Sequence, residues 1–311
     1  MLRAITIFGL LTLPAWSDSA PIRETSAAAF VTKEMPGFYN GYLFSCTAGG
    51  VVTLFAPDGR NLTLVPQNRP DTYVQALFVA VDSDGTLAIS WDSRSHAGID
   101  LRDSSGVLLR SIDTGRYIPA HLSFGEDHSL WSFGWQRDAV KQGFPDKQDY
   151  ATVRKYSSDG KETAAFLPRS LFPRGLEPGT DHWQSRSITV TSDRIGIHAV
   201  SGTVSNQREW VELDLDGHLT GRWKLDPSDQ FPGVVLTSDN QAYVHRYDRE
   251  AKSRRVFRLN RALSTWEPVS APDAALYGTD GDKLVFARWS DGLMHLSWFA
   301  QPLELTSPPA P

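Results

Sequence analysis

Four aromatic residues, Trp91, Trp135, Tyr247 and Trp289, each close an apolar run and are each followed by a polar residue, while a fifth run of the same kind ends in Val200. Long polar connections stand beside these runs, and they carry His96, Arg116, His182 and Arg186. Aromatic faces flanked by hydrogen-bonding side chains suit a carbohydrate or another small polar ligand, which needs an apolar platform and a few placed polar contacts. The same rings have a second reading as wedges between repeated units, where large side chains bury much apolar area. Recurrent core positions of that sort are what a repeat architecture requires. Those eight residues are the ligand-binding candidates.

Other chemistry is harder to place. The eight histidines show neither an H-x-x-x-H nor an HExxH spacing, so no metal ligand is assigned. Aspartates recur in Asp-Gly turns, where Asp bonds its own backbone and Gly takes a positive φ. The D-x-D-G sequences at Asp82 and Asp214 lack the following Glu of an EF-hand loop. No cofactor is predicted, calcium being the one ion left open. A G-x-S-x-G elbow and a Walker loop are both missing, and Cys46 is a lone cysteine without a His/Asn context. No catalytic residue is assigned.

The elements that must position these residues come from a repeat. Tyr73 to Asp113 reads as four short apolar runs separated by the turn Asp82–Gly85, a polar loop from Asp92 to Ala97, and the turn Asp103–Gly106. That is a four-stranded antiparallel meander. The first turn recurs at Asp84, Asp127, Asp193, Asp239 and Asp280, with spacings of 43, 66, 46 and 41 residues. The second recurs at Gly59, Gly106, Gly160 and Gly217, and a degenerate fifth copy, RLNRALSTWEPV, has lost its Gly. Four strands per period of about 40–50 residues describe β-propeller blades. The prediction is an all-β chain with one propeller over 30–305, preceded by a linker over 18–29. Six blades are favoured, or five if the two incomplete ends, lacking a first and a last strand, merge into one, and the ring is expected to be closed by strands from both the N- and the C-terminal ends.

In such a ring the short Asp/Gly turns share one face and the long connections share the other. A site would therefore sit on the long-loop face, since loops on a rigid scaffold carry function. The longest connections, 136–150 and 168–183, read as a rim or lid over the channel mouth, or as tolerated insertions.

The paired hairpin signatures, FVAVDSDGTLAISW and LRDSSGVLLRSI among them, resemble those of the six-bladed NHL-like and SMP-30-like propellers. More specifically the chain resembles secreted bacterial propeller proteins of no assigned function. The lactonases of the SMP-30-like group imply a channel metal held by carboxylates and Asn side chains, and no full set of such residues is matched here.

Composition narrows the classes further. With 41% hydrophobic and 22% charged residues the chain is an ordinary globular one. A net charge of −5 argues against nucleic acid, which needs clustered Lys and Arg. Residues 1–17 have the basic, apolar and small-residue regions of a cleaved signal peptide, so a secreted or periplasmic protein is expected. No later stretch is long enough to span a membrane, and the Pro-rich residues 306–311 form a frayed tail. The leading functional expectation is a non-enzymatic module that binds a small polar ligand or another protein through its long-loop face. The alternatives are a metal-dependent hydrolase or lactonase of SMP-30-like type and a scaffold in an envelope assembly.

Overall fold

The computed structural model describes residues 21–28, 36–47, 49–66, 74–93, 95–137, 149–172, 176–177, 188–201, 208–226, 229–248 and 252–301. Residues 1–17, read above as a signal peptide, residues 306–311 and most of the two long insertions lie outside them. Strand β1 spans Arg23–Ala28. Blade one holds β2 (Gly37–Tyr39), β3 (Tyr42–Cys46), β4 (Val52–Phe55) and β5 (Asn61–Leu64). Blade two holds β6 (Val74–Val81), β7 (Leu87–Ser93), β8 (Ala97–Arg102) and β9 (Leu108–Gly115). Blade three holds β10 (Tyr117–Phe124), β11 (Leu130–Gln136), β12 (Ala151–Tyr156) and β13 (Glu162–Pro168). In blade four, β14 (Leu176–Glu177) and β15 (Ile188–Val190) share the innermost position beside β16 (Arg194–Ser201), followed by β17 (Arg208–Asp214) and β18 (Leu219–Lys224). Blade five holds β19 (Asp229–Leu236), β20 (Ala242–Asp248), β21 (Ser253–Asn260) and β22 (Thr265–Val269). Blade six holds β23 (Ala275–Asp280), β24 (Lys283–Ser290) and β25 (Leu293–Phe299), and takes β1 as its outermost strand.

The protein is therefore an all-β, six-bladed propeller of antiparallel sheets. Two expectations at the ends are corrected. Residues 23–28 are not linker: they pair with β25 from Arg23↔Trp298 to Ala28↔Leu293. Blade one has its own first strand in β2, so the borrowed strand closes blade six alone. The C-terminal copy does lack its own last strand, and the ring is closed by strands from both ends of the chain, as expected.

Turn chemistry sets the hairpins. In blade two the Asp82 N–H bonds the Thr86 carbonyl at 2.8 Å, and Asp84 Oδ1 accepts the Thr86 N–H at 2.8 Å. Gly85 supplies the left-handed residue such a turn requires, with φ 88°. Where the repeat lacks glycine, His128, Asn240 and Ser264 take that conformation at φ 59°, 67° and 53°. This explains how the degenerate fifth outer hairpin survives without its Gly.

Each blade is apolar on both faces, and the core lies in the seams between blades. Blades one to three share a cluster including Phe44, Leu54, Val79 and Leu130. Trp131 and Val153 meet Ile195 and Val211 between blades three and four, and Trp210 meets Val234 and Val244 between four and five. Tyr243 and Val256 meet Leu276 and Phe286 between five and six. Phe38 and Leu43 meet Tyr277 and Trp298 between six and one, which closes the ring.

The buried indoles share one device. Trp91 Nε1 donates to Asp100 at 3.1 Å, Trp210 Nε1 to Glu212 at 2.8 Å and Trp298 Nε1 to Asp280 at 2.9 Å, while Trp131 Nε1 donates to Ser129 at 2.9 Å. A large ring is buried without leaving its N–H unmatched. Asp100 is 0% exposed and also accepts from Ser111 at 2.9 Å and Arg102 at 3.4 Å. Opposite Trp91, a Cβ on Gly98 would stand 2.5 Å from the Trp91 ring, so that strand position must stay bare.

Trp91→Ala is expected to destabilise the protein by about 3–5 kcal/mol, as large core truncations do. Trp91→Phe keeps most of the packing but removes one donor from a buried carboxylate, at a cost of about 1–3 kcal/mol. Urea unfolding of the three proteins checks both values.

Candidate functional site

Register decides what the aromatic series is. The pairs Val81↔Leu87, Phe124↔Leu130, Leu236↔Ala242 and Thr279↔Leu284 mark the same point in blades two, three, five and six. Trp135, Tyr247 and Trp289 each stand five positions after that anchor, whereas Trp91 stands four after it. Side chains alternate along a strand, so Trp91 faces the other way. It is 3% exposed and held by Asp100, and it is removed from the ligand candidates. The residue of blade two that occupies the aromatic register is Asp92.

Of the remaining candidates, three meet at the seam of blades two and three on the long-loop face. Trp135 is half-buried against Leu77, Ala97 and Ile118. His96 is exposed, with Nδ1 3.5 Å from Asp113 Oδ2. Arg137 ties the group together: it bonds the Asp92 carboxylate, reaches the His96 carbonyl at 3.2 Å, and bonds the Arg116 carbonyl through its backbone N–H at 3.0 Å. Arg137 and Asp92 were not among the sequence candidates. Tyr247 is half-buried in blade five, and Trp289 in blade six is 42% exposed, edge-on to Tyr277 at 5.8 Å. The four aromatics therefore form no common platform. His182 and Arg186 lie outside the described residues.

At the short-turn face the ring ends in a bowl of about 240 Å³ lined from all six blades, with Asn40, Ser83, Glu126, Thr191, Ser238 and Thr279 in its wall. Tyr39 forms its floor. Its hydroxyl accepts the Phe124 N–H at 2.9 Å and shares a hydrogen bond with Ser123 Oγ at 3.3 Å, and Ser123 Oγ accepts the Val190 N–H at 3.0 Å. Blades one and three are not neighbours, so Tyr39 reaches across the channel and blocks the bowl from the interior.

A larger cavity, about 380 Å³, opens towards the long-loop end and outer edge of blade six, on its side facing blade five. Phe286 and Phe299 make its floor, edge-to-face at 5.3 Å and 86°. Strand alternation brings Arg288 and Ser290 of β24 and His295 and Ser297 of β25 to that same face, and β1 adds Glu24 at the rim. Ser290 Oγ and His295 Nε2 are 3.0 Å apart, Ser297 Oγ donates to Glu24 at 3.4 Å, and Arg288 donates to the Asp273 carbonyl at 3.1 Å. None of these residues was singled out from sequence. The signal was present as a period of two, Phe286-x-Arg288-x-Ser290 and His295-x-Ser297-x-Phe299, which places polar groups beside the two rings on one face of the sheet.

Two carboxylate–imidazole groups bear on calcium. Asp82, Asp84 and His128 lie within 4.8 Å of one another, as do Asp214, Asp216 and His218. Each trio offers two carboxylates and one imidazole nitrogen, and calcium takes about 6–8 oxygens. Their carboxylates already accept backbone N–H groups, at Thr86 and His218 respectively. By themselves these donor sets fall short of a calcium shell. Elsewhere among the described residues the buried carboxylates are held by structural partners, as Glu212 is by Arg194 of its own blade at 2.6 Å and by Arg261 of the next at 2.7 Å. Burial alone raises the Glu212 pKa, but Arg261, Trp210 and Arg194 together hold it below the ordinary value.

The Asp82 group is better read as a latch between blades two and three. His128 Nδ1 lies 2.8 Å from Asp82 Oδ2, and that hydrogen bond, with the charges of Asp82, Asp84 and Asp127, raises the imidazole pKa. A raised folded-state pKa stabilises the protein at low pH, with the contribution complete below the ordinary His value of about 6.5 and lost as pH rises through the folded value. The melting-temperature gap between wild type and His128→Gln should therefore be present near pH 5.5 and shrink towards pH 9, those two pH values being set roughly either side of the titration. An NMR midpoint for His128 at or below that of a free histidine would contradict the latch.

Comparison with known proteins supports the fold and stops there. No protein-family model and no curated protein matches the sequence. Among solved structures, hydrazine synthase from Kuenenia stuttgartiensis aligns at 13% identity and a TM-score of 0.52, over 82% of this chain and 74% of that one. A gluconolactonase from Xanthomonas campestris aligns at 13% identity and a TM-score of 0.48 over 85% of each chain. The β-propeller domain of the Trilobed protease from Pyrococcus furiosus aligns at 13% and 0.48, over 88% of this chain and 81% of that one. At 13% identity the likeness is one of fold alone, and the strand order itself makes this chain a six-bladed β-propeller.

Proposed function

We propose that this protein is an exported, non-enzymatic binding module whose ligand site lies towards the long-loop face. The observation that carries the reading is the cavity of about 380 Å³ in the seam of blades five and six, where an aromatic floor meets Arg288, Ser290, His295, Ser297 and Glu24. That mixture of an apolar base and a few directed polar groups is the usual make-up of a small-molecule site. A hydrolytic reading needs convergent carboxylates or an activated nucleophile with its base and orienting group. Among the described residues the buried carboxylates instead hold structural partners: Asp100, Glu209 and Glu212 bind Trp and Arg side chains, and Asp82 pairs with His128. No helix among the described residues is long and apolar enough to cross a membrane.

A thermal-shift screen of small metabolites against wild type and Ser290→Trp tests the site. Ser290 is exposed at the rim, so the added indole fills the cavity mouth without entering the core. At least one compound should raise the melting temperature of the wild type and leave the variant unchanged. A screen with no hit, or hits that persist in Ser290→Trp, overturns the reading.

Export is tested separately. Protein recovered from its own host should have an intact mass lacking residues 1–17, within a few residues of that boundary, because the basic, apolar and small-residue segments stand in the order a signal peptidase reads. Material retaining Met1 contradicts it.

A further inference from the structure

We infer that the seam cavity of blades five and six takes a small anionic ligand with an apolar body, its carboxylate held by Arg288, His295 and Ser290 and its hydrocarbon part lying over Phe286 and Phe299. This rests on the binding reading above and names the ligand class of that site. Arg288 and His295 are direct cross-strand partners, and both point to the cavity face. Ser290, at the end of β24, stands 3.0 Å from His295 Nε2, so three donor-bearing side chains gather at one end of the cavity.

The carbonyl of Asp273 fixes the Arg288 guanidinium at 3.1 Å. A guanidinium carries five N–H donors in a planar fork, and that fork matches a carboxylate, which accepts along two oxygens. At the other end the sole carboxylate of the wall, Glu24, lies at the outer edge and accepts from Ser297 at 3.4 Å. The cavity is thus polarised, with its cationic end towards the long-loop mouth and its acidic group on the rim. Between them Phe286 and Phe299, both buried and packed edge-to-face, form a floor that exists before any ligand arrives. A rigid apolar base with charge at one end selects an amphiphilic anion over a sugar, whose hydroxyls would face the two rings without partners. A volume near the low end of the usual range of about 300–1,000 Å³ limits the ligand to a small molecule.

Calorimetric titration of the full chain with three probes tests this: 4-phenylbutanoate, its primary amide, and 4-phenylbutylamine. The carboxylate should bind at one site per chain, with the amide and the amine at least about tenfold weaker, a difference of about 1.4 kcal/mol. Arg288→Gln should weaken the carboxylate by about tenfold and leave the amide unchanged, and Arg288→Lys should recover part of the loss, since charge returns without the fork. Ser290→Trp should abolish binding of all three. Circular dichroism and melting temperature confirm that each variant is folded, as expected for exposed positions. Equal affinity for the amide or the amine, or no effect of Arg288→Gln, overturns the anionic assignment. If Ser290→Trp still abolishes binding in that case, the binding site stands and only its ligand class falls. If no probe binds, or binding survives Ser290→Trp, the site and its ligand class fall together.

Discussion

A blade that is apolar on both faces has no stable existence alone, and that constraint shapes the rest of this protein. Each seam supplies the missing half of two blades, so the seams stabilise one another only if the ring closes. Closure rests on β1, six residues of modest apolarity whose partner in β25 lies at the far end of the chain. The pairing completes blade six at its outer edge, and Arg23 lies 4.6 Å above the Trp298 ring as it does so. On the inner side of the same junction Phe38 packs edge-on to both Tyr277 and Trp298. Contacts between the ends of a chain this long carry a high loop-closure cost, and buried aromatic area is the interaction large enough to offset it.

Polar groups inside the blades follow from the same packing. Sheets stacked face to face need large side chains to fill the gap, and tryptophan brings an N–H with it. Asp100, Glu212 and Asp280 accept those N–H groups, and the arginines beside Asp100 and Glu212 balance the charge that burial would otherwise penalise. Arg261 reaches Glu212 from the next blade, so this pairing also sets how blades four and five meet. Buried carboxylates in an unfamiliar structure invite a catalytic reading. Here their partners account for them as structural.

The repeat was legible because hairpin turns have strict local chemistry: Asp-Gly spacings in the sequence reproduce the strand boundaries of blade two to within a few residues. The polar loop read between Asp92 and Ala97 is shorter in the structure, since β7 runs on to Ser93 and β8 starts at Ala97. What failed was information that is not local. Trp91 looked equivalent to Trp135 because both end an apolar run, yet equivalence is set by distance from the turn, and one residue reverses the side chain. Strand β1 offered no apolar run and no turn, and its identity lies wholly in pairing with β25. The seam cavity drew residues from three strands, two of them joined by a tight turn and the third from the other end of the chain, so no window of sequence contained it.

The two faces of the ring are consequently unequal. On the short-turn side the inner strands end in tight turns that bond one another across seams: Asn40 to the Val81 carbonyl at 3.3 Å, Thr191 to Asn240 at 2.6 Å, Thr279 to the Leu236 carbonyl at 3.2 Å. Tyr39 then crosses the channel to Ser123 and joins three blades at one point. Such a network leaves a shallow bowl that cannot deepen without breaking the hub. Towards the long-loop side the connections vary from blade to blade, from the tight Asp291–Gly292 turn of blade six to the long 137–150 connection of blade three, so the seams there are free to differ. Blades two and three close theirs with Arg137 and Asp92, whereas blades five and six leave theirs open over Phe286 and Phe299. The binding site proposed above is placed at that open seam, beside the strand that closes the ring.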